Sequence, residues 1–157
     1  SQLPLVVDAS ALHFLAKEPQ HDDSWVLTPH PGEAASLLSC TAREIQNNRY
    51  QAVHAIQRRY GGCVLLKGAG TVVHSGKQAA SLCAAGNPGM ASAGMGDVLS
   101  GILGGLLAQG LSLSQAAHLG VWLHATAADD AMAASGQRGL LAHELMPYLR
   151  QRINSRI

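Results

Sequence analysis

An α/β fold, with a mostly parallel sheet flanked by helices, is what this sequence predicts, on three observations. Short apolar runs that end in Asp, Pro or Gly alternate with helix-like segments through the first half. The second half is helical almost throughout. The composition is 47% apolar yet only 4% aromatic, and it is rich in Ala and Gly. That mixture suits helices packed closely on a sheet better than a sandwich built from Tyr and Trp. At 157 residues the chain fits one domain with a substantial core.

The elements follow in order. Leu5 to Val7 is an apolar strand ending at Asp8, and Ser10 is placed to cap a brief helix through Ala16. Trp25-Val26-Leu27-Thr28 is a second strand. His30-Pro31-Gly32-Glu33 then turns tightly and opens a helix to about Leu38. Thr41-Ala42-Arg43-Glu44 has the spacing of a capping box, and the helix it starts is expected to run to about Tyr60, with Arg49, Arg58 and Arg59 mostly outward. Gly61-Gly62 ends it, and Cys63 to Leu66 reads as a fully buried strand. Lys67-Gly68-Ala69-Gly70 turns into a strand at Thr71 to His74, and Ser75-Gly76-Lys77 turns again into Ala79 to Ala84. Helices are expected over Asp97 to Gln109, from Ser112 or Ser114 to about Ala134, and from Leu141, with Pro147 dividing the last.

A net charge of +1 with scattered Lys and Arg offers no basic stripe for nucleic acid. No apolar segment reaches the ~20 residues of a membrane span, and the sequence does not open on a charged n-region followed by an apolar h-region. Cys40, Cys63 and Cys83 lack metal-ligand spacing and read as buried reduced thiols of a cytoplasmic protein. Because Leu3-Pro4-Leu5-Val6-Val7-Asp8 already reads as an internal strand, residues 1–157 are expected to be the C-terminal portion of a longer domain.

Chemistry concentrates where strands end, as open α/β sheets dictate. Asp8, the His30 turn, the Lys67 loop and a glycine-rich loop all fall there. The last, Gly86-Asn87-Pro88-Gly89-Met90-Ala91-Ser92-Ala93-Gly94-Met95-Gly96-Asp97, holds four glycines in twelve residues. Its backbone N–H groups stand before a helix, where the dipole favours an anion. Asp97 at that junction is unfavourable beside a phosphate unless it takes a proton or holds a metal. The alternative is a tightly packed turn with a first-turn acid. Neither a P-loop nor a dinucleotide-binding fingerprint is present. Lys67 is either a phosphate contact or a snorkelling strand-end side chain. In Thr28-Pro29-His30-Pro31-Gly32-Glu33 the prolines fix the backbone and present His30 with little ordering cost. Glu33 reads as a first-turn acid. The other seven histidines, His118 and His124 among them, read as structural or solvated.

Thr28-Pro29-His30-Pro31-Gly32-Glu33, Lys67-Gly68-Ala69-Gly70-Thr71, Gly86-Asn87-Pro88-Gly89-Met90-Ala91 and Gly94-Met95-Gly96-Asp97, in this order, resemble the C-terminal domain of the YjeF family. Those proteins are ADP-dependent NAD(P)H-hydrate dehydratases on a ribokinase-like fold. The resemblance runs from Val6-Val7-Asp8-Ala9 to the helices after Asp97. It implies that Lys67, Gly68, Ala69, Gly70, Thr71, Asn87, Gly89, Met90, Gly94 and Gly96 contact ADP. It further implies that His30 and Asp97 face the hydrated nicotinamide and that Asp97 is the catalytic base. Mg²⁺ and a homo-oligomer, a tetramer in the family, come with it. Met95 stands where a smaller residue such as Thr is common, Ser10 where a second Asp is frequent, and the family's N-terminal strands and helices are missing. The implied activity is phosphoryl transfer from ADP to the hydroxyl of NADH-hydrate or NADPH-hydrate, followed by loss of phosphate. A vitamin or sugar kinase of the same superfamily, or a nucleotide-binding module without turnover, are the alternatives.

Overall fold

A computed structural model describes residues 3–76 and 78–154, so Lys77 of the expected turn lies outside the described residues. Five strands form one sheet: β1 (Leu5–Val7), β2 (Trp25–Leu27), β3 (Cys63–Leu66), β4 (Thr71–His74) and β5 (Ser81–Cys83), side by side in chain order. The pairings β1–β2 and β2–β3 are parallel, while β3–β4 and β4–β5 are antiparallel. The parallel half is the one that needs crossover helices. The antiparallel half needs only the short turns after Leu66 and His74.

Helices α1 (Ser10–Lys17), α2 (Pro31–Leu38), α3 (Ala42–Asn47) and α4 (Arg49–Tyr60) precede β3, and α5 (Met95–Ala108), α6 (Leu113–Ser135) and α7 (Leu145–Asn154) follow β5. Short 3₁₀ turns occupy Pro88–Met90 and Ala142–Glu144. Strand alternation sorts the core into two layers. Leu27, Val64, Leu66 and Val72 pack against Leu12, Leu37, Val53, Ile56 and Tyr60 of the first helices. Val26, Cys63, Leu65 and Val73 face Leu99, Leu103, Leu106, Val121 and Leu123 of α5 and α6. Each such fully buried aliphatic side chain contributes about 1.5–3 kcal/mol relative to exposure.

Several boundaries differ from expectation for local reasons. The helix begun by the Thr41–Glu44 capping box stops at Asn47, because the Asn48 side chain accepts from the Gln51 N–H and starts α4 anew. Ser10 is the first residue of α1 rather than its cap: the cap position is Ala9, and no side chain bonds there. Pro147 lies in the first turn of α7, where a missing N–H costs no helical bond, so it divides nothing. Of the three thiols only Cys63 is buried, and Cys40 and Cys83 are half-exposed. Burial pushes the Cys63 thiol up to about 12. Among the described residues no helix is long and apolar enough to cross a membrane.

Candidate active site

One cavity of about 790 Å³ opens at the strand ends, between the sheet and the N-terminus of α5. His30, the whole stretch Lys67 to Thr71, Asn87, Met90 and Gly96 lie on its wall. Gly89, Gly94 and Asp97 do not. Asp97 is exposed and borders a separate open groove with Val98, Gly101 and Ile102 of α5 and Met146 and Leu149 of α7. Most of the predicted binding residues therefore gather into one space, Gly89 and Gly94 excepted, while the predicted base stands beside it.

The Lys67 loop is held from two sides. Lys67 Nζ donates to Asp8 Oδ1 at 2.9 Å and lies 3.9 Å from Glu33 Oε2. Asp8 Oδ2 accepts from Ser100 Oγ of α5 at 2.8 Å. Burial pushes the Asp8 carboxyl up, but the Lys67 ammonium and the Ser100 hydroxyl outweigh it and hold the group below the usual carboxylate range. Beside it, Ala9 has φ 48° with ψ −119°, a costly conformation for a side-chain-bearing residue. Its N–H donates to Asp8 Oδ1 at 2.9 Å. Beneath the loop, Arg49 Nη1 donates to the Ala69 carbonyl at 2.8 Å and Nη2 to those of Leu66 and Lys67 at 2.9 and 3.3 Å. Expected outward, Arg49 instead props the loop.

His30 is the N-cap of α2. Its Nδ1 accepts from the N–H groups of Gly32 and Glu33 at 3.0 and 3.3 Å, and Glu33 returns the bond to the His30 N–H at 2.7 Å. The ring is thereby fixed with its proton on Nε2, 3.6 Å from Glu33 Oε1. Glu33 is the first-turn acid that its position indicated.

The glycine-rich loop is pinned by Asp129 of α6. Asp129 Oδ2 accepts from the Gly86 N–H and Oδ1 from Asn87 Nδ2, both at 2.9 Å. Asn87 Oδ1 in turn accepts from the Gly89 N–H at 3.0 Å. Gly94, at φ 85°, makes the left-handed turn that aims the first N–H groups of α5 inward. At Gly96 a Cβ would lie 3.4 Å from Lys67 Nζ and 3.6 Å from Asp8 Oδ2, so a bare backbone there keeps the ammonium beside the helix N-terminus. The helix dipole favours an anion at this end of the cavity, where Lys67 stands with its charge balanced by Asp8 at 2.9 Å and Glu33 at 3.9 Å.

Arg49, Asp129 and His124 belong to the site and were not read as such in the sequence. Two adjacent acids, Asp129 and Asp130, on an alanine-rich helix were the available signal. Asp130 is explained separately by Arg152, whose Nε reaches its Oδ2 at 2.6 Å and ties α7 to α6. His124 is buried in the cavity wall, and burial pushes its imidazole down to about 4, with the Lys67 charge adding to the effect. His74, buried against His54 with ring centroids 3.9 Å apart, is lowered by burial and by that neighbour. Both rings are harder to protonate folded than unfolded. Their stabilising contribution is thus full above the ordinary value of 6.5 and is lost as pH falls towards about 4, with His124 alone worth on the order of 3 kcal/mol. Thermal melts between pH 7.5 and 4.5 should show a falling Tm, and a flat profile would overturn this.

The family model described as NAD(P)H-hydrate dehydratase matches residues 1–151. The chain is 55% identical over 153 residues to the bifunctional NAD(P)H-hydrate repair enzyme Nnr of Vibrio cholerae, covering 98% of this chain and 31% of that one. It is 43% identical over 160 residues to the ADP-dependent (S)-NAD(P)H-hydrate dehydratase of Neisseria meningitidis, covering 96% and 54%. Among solved structures, the ADP/ATP-dependent NAD(P)H-hydrate dehydratase of Bacillus subtilis, co-crystallised with ATP and Mg²⁺, superposes with a TM-score of 0.84 at 30% identity, over 94% of this chain and 53% of that one. Pyridoxal kinase of Lactobacillus plantarum superposes with a TM-score of 0.62 at 18% identity, which shows a shared fold alone. The chain thus spans about a third to a half of these relatives' length.

Proposed function

Because the chain belongs to the NAD(P)H-hydrate dehydratase family, we propose that it uses ADP to dehydrate hydrated NADH or NADPH and restore the reduced cofactor. The observation that carries this reading is the convergence of three separate loops on one cavity with a lysine and a helix N-terminus at one end. ADP binding is the part that the cavity supports most directly. The diphosphate lies against Lys67 and the first N–H groups of α5, and Gly68, Ala69, Gly70 and Thr71 let the nucleotide approach the backbone. Asn87 and Met90 line the cavity, while Gly89 and Gly94 act from behind them, Gly89 by donating to Asn87 Oδ1 and Gly94 by turning the chain into α5.

Asp97 stands outside the cavity, so the hydrate lies across the N-terminus of α5, with its hydroxyl between Asp97 and the terminal phosphoryl. Asp97 takes the hydroxyl proton as the oxygen attacks that phosphorus, and the bond from phosphorus to the oxygen of AMP breaks. The N–H groups at Gly94 to Gly96 stabilise charge on the moving group. The ring nitrogen's lone pair then expels phosphate, and loss of a proton from the neighbouring ring carbon closes the double bond. His30, with Nδ1 committed to α2, is left to donate through Nε2 to the hydrate. No cluster of three or more His, Cys, Asp or Glu able to hold a metal ion occurs among the described residues. The side chains thus offer Mg²⁺ no ready-made site. Phosphate oxygens and water are its usual ligands, and no step above runs through it.

The test is to mix the chain with hydrated NADPH, ADP and Mg²⁺ and follow the return of reduced-nicotinamide absorbance. Recovery that requires ADP, with AMP and phosphate released, supports the reading; nucleotide-independent recovery or none at all sinks it. Lys67→Ala should weaken ADP binding by about tenfold or more, as expected for a lost charge-assisted contact. Unchanged affinity by calorimetry would return Lys67 to a structural partner of Asp8.

A further inference from the structure

Residues 84–94 carry the chain from the end of β5 to α5, with the 3₁₀ turn Pro88–Met90 between. The inner side of this loop lines the cavity through Asn87, Met90 and Ser92. Its outer side rests on the segment after α6: a Cβ on Gly89 would meet the Gln137 carbonyl oxygen at 2.7 Å, and one on Gly94 would meet the Ala142 Cβ at 3.1 Å. Such packing stops the loop moving outward. It does not stop glycine-rich backbone from rising into the cavity or slipping along its support.

Polar bonds set its register, and they meet at Asn87. The Asn87 Oδ1 accepts from the Gly89 N–H at 3.0 Å, and its Nδ2 donates to Asp129 Oδ1 at 2.9 Å. The other Asp129 oxygen accepts from the Gly86 N–H, also at 2.9 Å. Both ends of the Asn87 amide are thus engaged within the protein, although the residue stands on the cavity wall. Turning that amide towards a nucleotide would break two bonds, one of them charge-assisted. Asp129, half-buried on α6 and not itself on the wall, gives one oxygen to the loop's backbone and one to its side chain. We infer that Asn87 is a bracket rather than a nucleotide ligand, and that Asp129 is the positioning residue acting through it. The pair holds the loop in the shape that sets Met90 against ADP and delivers the chain to the N-terminus of α5. This rests on the reading of the cavity as an ADP site.

The experiment compares the unsubstituted chain, Asn87→Asp, Asp129→Asn and the two substitutions combined. ADP affinity is read by calorimetry, fold by melting curves, and loop shape by amide hydrogen exchange at Gly86 and Gly89. Alone, Asn87→Asp sets two carboxylates against each other, and Asp129→Asn sets an amide N–H₂ against a donor. Each single variant should bind ADP about tenfold more weakly and exchange the two glycine amides faster. Combined, the roles are swapped. The amide at 129 keeps its oxygen on the Gly86 N–H and donates to the carboxylate at 87, whose other oxygen still accepts from the Gly89 N–H. Net charge is unchanged, and affinity should return to within about threefold of the unsubstituted chain. An Asn87 that touched ADP directly would not be rescued, so a combined variant as weak as the single ones overturns the bracket. Single variants that melt earlier but bind ADP as before would make the pair structural alone, and overturn it too. Either result, beside intact binding by the unsubstituted chain, sinks this inference only; failure of the unsubstituted chain to bind ADP removes the reading of the cavity and this inference with it.

Discussion

Asp97→Asn should lower turnover of the hydrate by ~10²–10⁴ while ADP affinity stays within a few-fold of the unsubstituted chain. The size follows from the role. The hydroxyl oxygen is a poor nucleophile until its proton is taken, and an amide of the same shape cannot take it. The selectivity follows from the position. Asp97 lies at the third residue of α5, exposed, and borders the groove rather than the cavity proposed for the nucleotide. The same substitution removes a negative charge from the first turn of α5, where the proposed function lays the phosphates, so a modest gain in ADP affinity also fits that proposal. Turnover like that of the unsubstituted chain would show that another group, or water, takes the proton.

Gly62→Ala should be the most damaging single methyl in the fold. At Gly62 φ is +60°, and a Cβ would sit 2.1 Å from the Trp25 carbonyl oxygen. That oxygen cannot retreat cheaply, because Trp25 pairs with Leu5 while the next residue, Val26, pairs with Cys63. The strain therefore enters the parallel core itself. A loss of about 2–4 kcal/mol is expected, a Tm drop of roughly 5–15 °C for a domain of this size. Gly136→Ala is the control: φ there is also positive, +90°, but nothing lies within 4 Å of the added carbon. Equal melting shifts in the two variants would mean that backbone conformation, not the clash, sets the cost.

Much of this was legible from local pattern. The strands at Leu5–Val7, Cys63–Leu66 and Thr71–His74 were read at the bounds they have, because each is an apolar run closed by Asp, Lys or Ser beside a turn. The cavity loops were legible too, since strand ends and glycines announce where backbone is bare. What could not be read were the braces. Arg49 spans 20 residues to Ala69, Asp129 spans 43 to Gly86, and Asp8 spans 92 to Ser100. An arginine in the first turn of a helix looks solvated until the loop above it is placed. His124 looked like one more helical histidine because its burial depends on α5 packing over α6. Asn48 broke a helix through a side-chain bond that propensity alone does not weigh.

Those braces have a thermodynamic meaning. The Lys67 loop and the glycine-rich loop are each tied to elements far away in the chain, so these two walls are complete only when β1, α4, α5 and α6 are assembled. No stretch of loop could be folded, or grafted elsewhere, with the pocket intact. A ligand that fills the cavity therefore acts as a clamp on the entire fold: at a hundredfold excess over its Kd, it would add about 2.7 kcal/mol to global stability by mass action alone. The protein's persistence would then track how much nucleotide surrounds it.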